Sequence, residues 1–139
     1  MKMVAWNGVG KFLLLPHDDV AQLTDARQAG FEIHEVRQVV ALNSYLRMPH
    51  CGGGLRVWNI APTIAVKDAL GLAESGYPHP QDCLSGIESV TIEPKAGDIV
   101  LLNGNLVHAV EGAEASSGER LLLTCFMGRT RAGNVIWWT

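Results

Sequence analysis

Apolar and polar positions in this chain alternate in short bursts, broken every few residues by glycine or proline. Lys2–Asn7 predicts a first short strand, turned by Gly8-Val9-Gly10. Lys11–Asp19 predicts a second, built on the apolar run Phe12-Leu13-Leu14-Leu15. Val20–Gly30 is mixed and polar, and reads as a loop with some helix. In Phe31–Met48, the positions Val36, Val39, Val40, Leu42 and Leu46 give β-branched and apolar density without a helical period, so a strand is expected there. Pro49–Gly54 is a glycine-rich turn, and Leu55–Asn59 resumes an extended pattern; the two segments read as a hairpin.

Ala65–Ser75 is the best helix candidate. Ile87–Glu93 alternates as a strand should, and Pro94–Asp98 turns the chain into Ile99–Leu102. His108 stands on the next extended piece. Glu111–Gly118 is a small polar loop. Arg120–Met127 is nearly continuous in apolar residues and predicts a strand buried on both faces. Asn134–Thr139 gives the last strand. About eight strands with one short helix, and no regular strand–helix alternation, predict an all-β fold in which two sheets pack as a jelly roll.

Composition narrows the functional classes. The chain has 139 residues, 47% of them hydrophobic, enough for one domain with a real core. A net charge of −3 offers no basic field for nucleic acid or anionic lipid. No apolar stretch is long enough to span a membrane, and the start has no signal-peptide pattern. Cys51, Cys83 and Cys125 are odd in number and scattered, which favours small buried thiols in a reducing, cytoplasmic setting over disulfides or a structural zinc site.

The chemistry concentrates in His17, Asp19, His108 and Arg120. His17 and Asp19 are two apart at the end of a predicted strand, so their side chains would share a face. With His108 they make two imidazoles and a carboxylate, the donor set that holds Fe(II) with positions left open. A surface His–Asp pair plus a core histidine satisfies the same pattern. Arg120 opens the most apolar strand of the chain. Buried, it needs an anionic partner, and its planar fork suits a carboxylate; at a sheet edge it would pair with Glu88 or Glu119. By strand parity Thr124 and Phe126 share its face. Asn43 and Tyr45 share a face of their own strand, either toward a ligand or in the core.

In order, His17-x-Asp19, Gly53-Gly54-Leu55, Ala96-Gly97-Asp98, His108-Ala109-Val110 and Arg120 resemble the Fe(II)/2-oxoglutarate-dependent oxygenases over most of the chain, about Lys11 to Gly128. The resemblance implies a double-stranded β-helix, iron on His17, Asp19 and His108, and 2-oxoglutarate as cosubstrate with its far carboxylate on Arg120. Asn43, Tyr45 and Thr124 are candidate cosubstrate contacts. It further implies consumption of molecular oxygen, release of succinate and CO2, and hydroxylation of a small organic or amino-acid-like substrate. Relatives that halogenate have Gly or Ala where this chain has Asp19, so oxygenation is expected. The pattern departs from many members in having Leu122 where they have serine. It also has only sixteen residues before His17, so the usual N-terminal helical segment is expected to be missing and an uncovered sheet would favour a homo-oligomer. The alternative reading is a non-catalytic jelly-roll module that binds metal or assembles without turnover.

Among the remaining candidates, Trp58 reads as core or cavity wall, and Arg129 and Arg131 as surface charge or an anion site. His34, His50 and His79 read as surface residues. Val20–Gly30 and Gly76–Pro80 are candidate lids.

Overall fold

A computed structural model describes all residues, Met1–Thr139. Nine strands run in the order β1 (Lys2–Trp6), β2 (Phe12–His17), β3 (Val40–Arg47), β4 (Leu55–Trp58), β5 (Ser89–Ile92), β6 (Ile99–Asn103), β7 (His108–Glu111), β8 (Arg120–Arg129) and β9 (Val135–Trp138). Between β4 and β5 lies the only α-helix, α1 (Ile64–Ala69), and four short 3-10 turns complete the regular structure.

The strands form two antiparallel sheets. One has β8 at its centre, with β3 and then β6 on one side and β1 and β9 end to end on the other. The second has the order β2-β7-β4-β5. This is the expected all-β double sheet, with the helix count also as predicted. The hairpin expected between β3 and β4 does not form. β3 pairs with β6 and β8, whereas β4 pairs with β5 and β7 in the opposite sheet. Pro49–Gly54 is therefore a crossover between sheets, with Gly52 and Gly53 both at positive φ, where side chains are strained.

Strand parity settles which residues face inward. In β8 the inward set is Arg120, Leu122, Thr124 and Phe126; in β3 it includes Ala41, Asn43 and Tyr45; in β1 it is Lys2, Val4 and Trp6. The outward positions of the five-stranded sheet are largely apolar and open, with Met3, Ile99, Leu101 and Trp137 each more than 60% exposed. The both-faces burial expected for β8 therefore holds only in part: outward Leu121, Leu123 and Met127 are half-buried and Cys125 is covered. Of the cysteines only Cys125 is buried; Cys51 and Cys83 are exposed.

The strand expected across Phe31–Met48 begins only at Val40, because Glu32–Glu35 winds into a 3-10 turn that sends Ile33, Val36 and Val39 into the core with Leu23. The helix expected to reach Ser75 stops at Ala69. Thr63 caps its start by accepting from Val66 N–H. At the other end Gly71 takes φ 68°. Gly71 N–H donates to the Asp68 carbonyl and Leu72 N–H to the Lys67 carbonyl, the paired closing bonds that end a helix at a left-handed glycine. No helix is long and apolar enough to cross a membrane.

Candidate functional site

β2 and β7 are neighbours in the four-stranded sheet, and His17 is paired in register with His108. Their rings lie 4.2 Å apart between centroids. Each ring is held from behind by the chain two residues upstream. His17 Nδ1–H donates to the Leu15 carbonyl at 2.8 Å, and His108 Nδ1–H donates to the Leu106 carbonyl at 2.9 Å. A carbonyl can only accept, so both rings carry the proton on Nδ1 and present a bare Nε2 lone pair.

Those lone pairs face Asp19, with His17 Nε2 3.9 Å from Asp19 Oδ1 and His108 Nε2 3.5 Å from Asp19 Oδ2. One donor atom from each of the three residues falls within a 4.8 Å group. Asp19 reaches this place from outside the strand. β2 ends at His17, and Asp19 has turned to φ −92° and ψ 6°, its N–H donating to the Gly104 carbonyl at 2.8 Å. The shared face expected from strand alternation is thus produced by a turn, with Asp18 thrown to the opposite side.

Burial sets the electrostatics. Desolvation pushes the Asp19 carboxyl up to about 6, partly opposed by the charge of His17. It lowers His17 to about 4, helped by His108, and lowers His108 as well. At neutral pH the cluster is one carboxylate and two neutral imidazoles. Asp19 Oδ2 is buried and receives no hydrogen bond.

Across the same cavity stands Arg120, 1% exposed. Its Nε donates to the Gly53 carbonyl at 3.1 Å and its Nη2 to the Tyr45 hydroxyl at 3.2 Å. The guanidinium lies between two rings, 4.9 Å from the centre of Trp6 and 5.0 Å from that of Tyr45. Burial lowers its basicity against the opposing influence of Tyr45, and burial raises the Tyr45 phenol in turn. Neither expected carboxylate partner is in place: Glu119 is bound to Arg47, and no ion pair joins Arg120 to Glu88. Nη1 is buried without an acceptor.

His17, Asp19, His108 and Arg120 line one cavity of about 260 Å³ together with Asn43 and Thr124. Its apolar walls include Leu14, Leu55, Val110, Leu122 and Phe126, drawn from both sheets. Tyr45 is not on the wall; its hydroxyl accepts from Arg120, which is. Trp58 is in the core with Leu84, Val107 and Ala109. Arg129 and Arg131 border a separate, open cleft of about 610 Å³ with Arg37, sharing no residue with the cavity.

Comparison with known proteins adds to this geometry. No protein-family profile matches the chain. It is 35% identical over 134 residues to an L-isoleucine 3(1)-dioxygenase of Pantoea ananatis, covering 96% of this chain and 45% of that protein. It is 31% identical over 100 residues to an L-gamma-glutamyl-L-propargylglycine hydroxylase of Streptantibioticus cattleyicolor, covering 72% of this chain and 35% of that protein. Its fold matches that of an N-substituted L-amino acid dioxygenase from Burkholderia ambifaria at a TM-score of 0.65 and 15% identity, over 99% of this chain and 52% of that one. The same enzyme solved with alpha-KG matches at a TM-score of 0.60.

By sequence the chain is related to a dioxygenase and a hydroxylase, and it has the fold of an amino acid dioxygenase. It spans less than half the length of the curated relatives it matches.

The residues present suit the two groups that the sequence resemblance implies, Fe(II) and 2-oxoglutarate. A buried carboxylate oxygen with no donor, faced by two imidazole lone pairs, is an environment that a divalent cation satisfies. A buried guanidinium nitrogen with no acceptor, on a residue that lines the same cavity, is one that a carboxylate satisfies. Sequence reasoning missed several residues of this region. Trp6 is one of them, although the alternation of Lys2, Val4 and Trp6 places it on the inward face. His79, expected at the surface, is 4% exposed and bonded to Asp18, because the Gly76–Pro80 segment folds inward against the end of β2. Lys67 is equally buried, and nothing in the local pattern marks it.

Proposed function

We propose that this chain forms a jelly-roll oxygenase domain that uses Fe(II) and 2-oxoglutarate to hydroxylate a small, aliphatic, amino-acid-like substrate. The observation that carries this reading is the presence of the His17–Asp19–His108 cluster and the buried, acceptor-poor Arg120 in one cavity of about 260 Å³. The relatives named for isoleucine, for a glutamyl-propargylglycine dipeptide and for N-substituted amino acids favour an amino-acid substrate class.

In this reading His17, Asp19 and His108 hold the iron. The bound iron and cosubstrate supply the oxidising chemistry, in which O2 and 2-oxoglutarate are converted to succinate and CO2 and one oxygen atom enters a substrate C–H bond. The protein's own contribution is placement and exclusion. The carbonyls of Leu15 and Leu106 fix both imidazole tautomers, so the metal-facing nitrogens need no proton removed. Arg120 takes the far carboxylate of 2-oxoglutarate, oriented by the Gly53 carbonyl and Tyr45 and walled by Trp6. Asn43 and Thr124 offer polar groups along the wall between them. Leu14, Leu55, Leu122 and Phe126 keep water out and favour an aliphatic side chain.

The test is succinate formation by the purified chain with a panel of aliphatic L-amino acids and their N-substituted and γ-glutamyl forms. Turnover should require Fe(II) and 2-oxoglutarate and vanish in His108→Ala. The alternative reading is a metal-binding module without turnover. Stoichiometric Fe(II) or Mn(II) binding with no succinate under any condition would select it.

A further inference from the structure

Behind the candidate metal cluster lies a set of buried charges that the proposed chemistry does not use. Asp18 sits between His17 and Asp19 in sequence, but its side chain points the other way and is 1% exposed. Its Oδ1 accepts from Lys67 Nζ at 3.1 Å and its Oδ2 from His79 Nε2 at 2.8 Å. Both partners are buried, with side chains 6% and 3% exposed, and they come from α1 and from the Gly76–Pro80 segment. Burial alone would raise the Asp18 carboxyl; the His79 hydrogen bond and the Lys67 charge outweigh it and hold it below its ordinary range.

Two further contacts give this triad a direction. Asp18 Oδ1 also accepts from the backbone N–H of Val20 at 3.0 Å. That bond closes a loop across Asp19, the residue whose backbone angles decide where its carboxylate points. Meanwhile Asp18 N–H donates to the Gly76 carbonyl at 3.1 Å, and His79 N–H donates to the Pro16 carbonyl at 2.7 Å. The segment so pinned carries Tyr77, whose ring stands edge-on to His17 at 6.1 Å and is 41% exposed.

We propose that Asp18 is a positioning residue for the metal site: its carboxylate locks the turn that aims Asp19 and, through Lys67 and His79, holds the Tyr77 segment against the back of the ligand strand. The inference rests on the metal reading given above. A carboxylate placed only for stability would need its charged partners but not the bond across Asp19. With that bond, loss of Asp18 loosens a ligand it never touches.

The discriminating experiment is Mn(II) titration of the full chain in a neutralised background. Lys67→Met is combined with Asp18→Asn in one protein and with Asp18→Ala in another, so neither leaves a lone buried charge. Asparagine keeps an oxygen for Val20 N–H; alanine does not. The asparagine variant should bind Mn(II) within about threefold of wild type, and the alanine variant at least about tenfold more weakly. Amide hydrogen exchange across residues 76–79 should quicken in the alanine variant. Equal Mn(II) affinity in the two variants overturns the inference while leaving the metal reading intact. A wild-type chain that binds no Mn(II) overturns both. If the alanine variant does not fold, His79→Gln and His79→Ala replace the pair. Glutamine retains a donor for Asp18 and should retain Mn(II) affinity that alanine loses, and equal binding again overturns the inference.

Discussion

The guanidinium of Arg120 lies 5.0 Å over the ring of Tyr45 and donates to that same residue's hydroxyl at 3.2 Å. One side chain thus sets both the plane and the edge of the arginine. Tyr45→Phe keeps the plane and removes the edge. Loss of one such hydrogen bond, about 1 kcal/mol, should raise the 2-oxoglutarate concentration needed for half-saturation about fivefold. Arg120→Met removes the charge and should raise it at least about 100-fold, in line with about 3 kcal/mol for a charged pair. Titration of 2-oxoglutarate into the Mn(II)-loaded chain reads both, and an unchanged requirement in Arg120→Met removes that residue from the site.

Metal affinity should depend on pH through Asp19. Its carboxyl titrates at about 6, whereas His17 stays neutral down to about 4. Binding below pH 6 must therefore displace one proton, from the carboxylate. Mn(II) affinity should be flat above about pH 7 and fall by about tenfold per pH unit between 6 and 5. A fall beginning well above pH 7 would mean that an imidazole, and not Asp19, carries the proton.

Stability of the metal-free chain gives a third expectation with an opposite role for the same residue. The folded-state value of Asp19 is raised above its ordinary 3.8, so its charge works against folding above that range and less so as pH falls through 6. The lowered His17 works the other way: its contribution is present above 6.5 and is lost as pH falls toward 4. His108 shifts in the same direction as His17. Two histidines against one carboxyl make the net slope a loss of stability on acidification. Asp19→Asn should raise the metal-free Tm at pH 7.5, by up to about 3 kcal/mol of stability, and steepen the acid loss. Thermal melts between pH 4.5 and 7.5, with and without Mn(II), check this; the variant should also lose its response to Mn(II).

Gly104 supplies a fourth. A Cβ there would come within 2.7 Å of Asp19 Oδ2 and 3.2 Å of Val39 Cγ1. Gly104→Ala should therefore push the carboxylate aside, lowering Mn(II) affinity at least about tenfold while far-ultraviolet circular dichroism stays as in wild type. Unchanged affinity would show that the Asp19 carboxylate has room to move without cost.

What could be seen in advance follows the range of the forces involved. The inward set Arg120, Thr124 and Phe126, and the pairing of Asn43 with Tyr45 on one face, came from local alternation, and the structure keeps that parity. The choice of sheet for β3 and β4 did not, because it depends on partners far along the chain. The helix ends short of the predicted Ser75 for a local reason that is present in the sequence, the glycine at position 71. Lys67 and His79 were beyond reach for a different reason. Their shared partner Asp18 lies 49 and 61 residues away, and nothing but the folded chain brings them together.

The facing histidines also carry a consequence about counting. From Phe12 to His17, β2 takes five steps while β7 takes three from Glu111 to His108, the excess absorbed at two irregularities in the ladder. In an unbroken ladder starting from the same Phe12–Glu111 pair, the residue opposite His108 would be Leu15. The two surplus residues are therefore what convert an aliphatic neighbour into a second imidazole. Straightening both irregularities would leave every donor in the sequence and dismantle the centre, a lesion of register that no inventory of side chains would reveal.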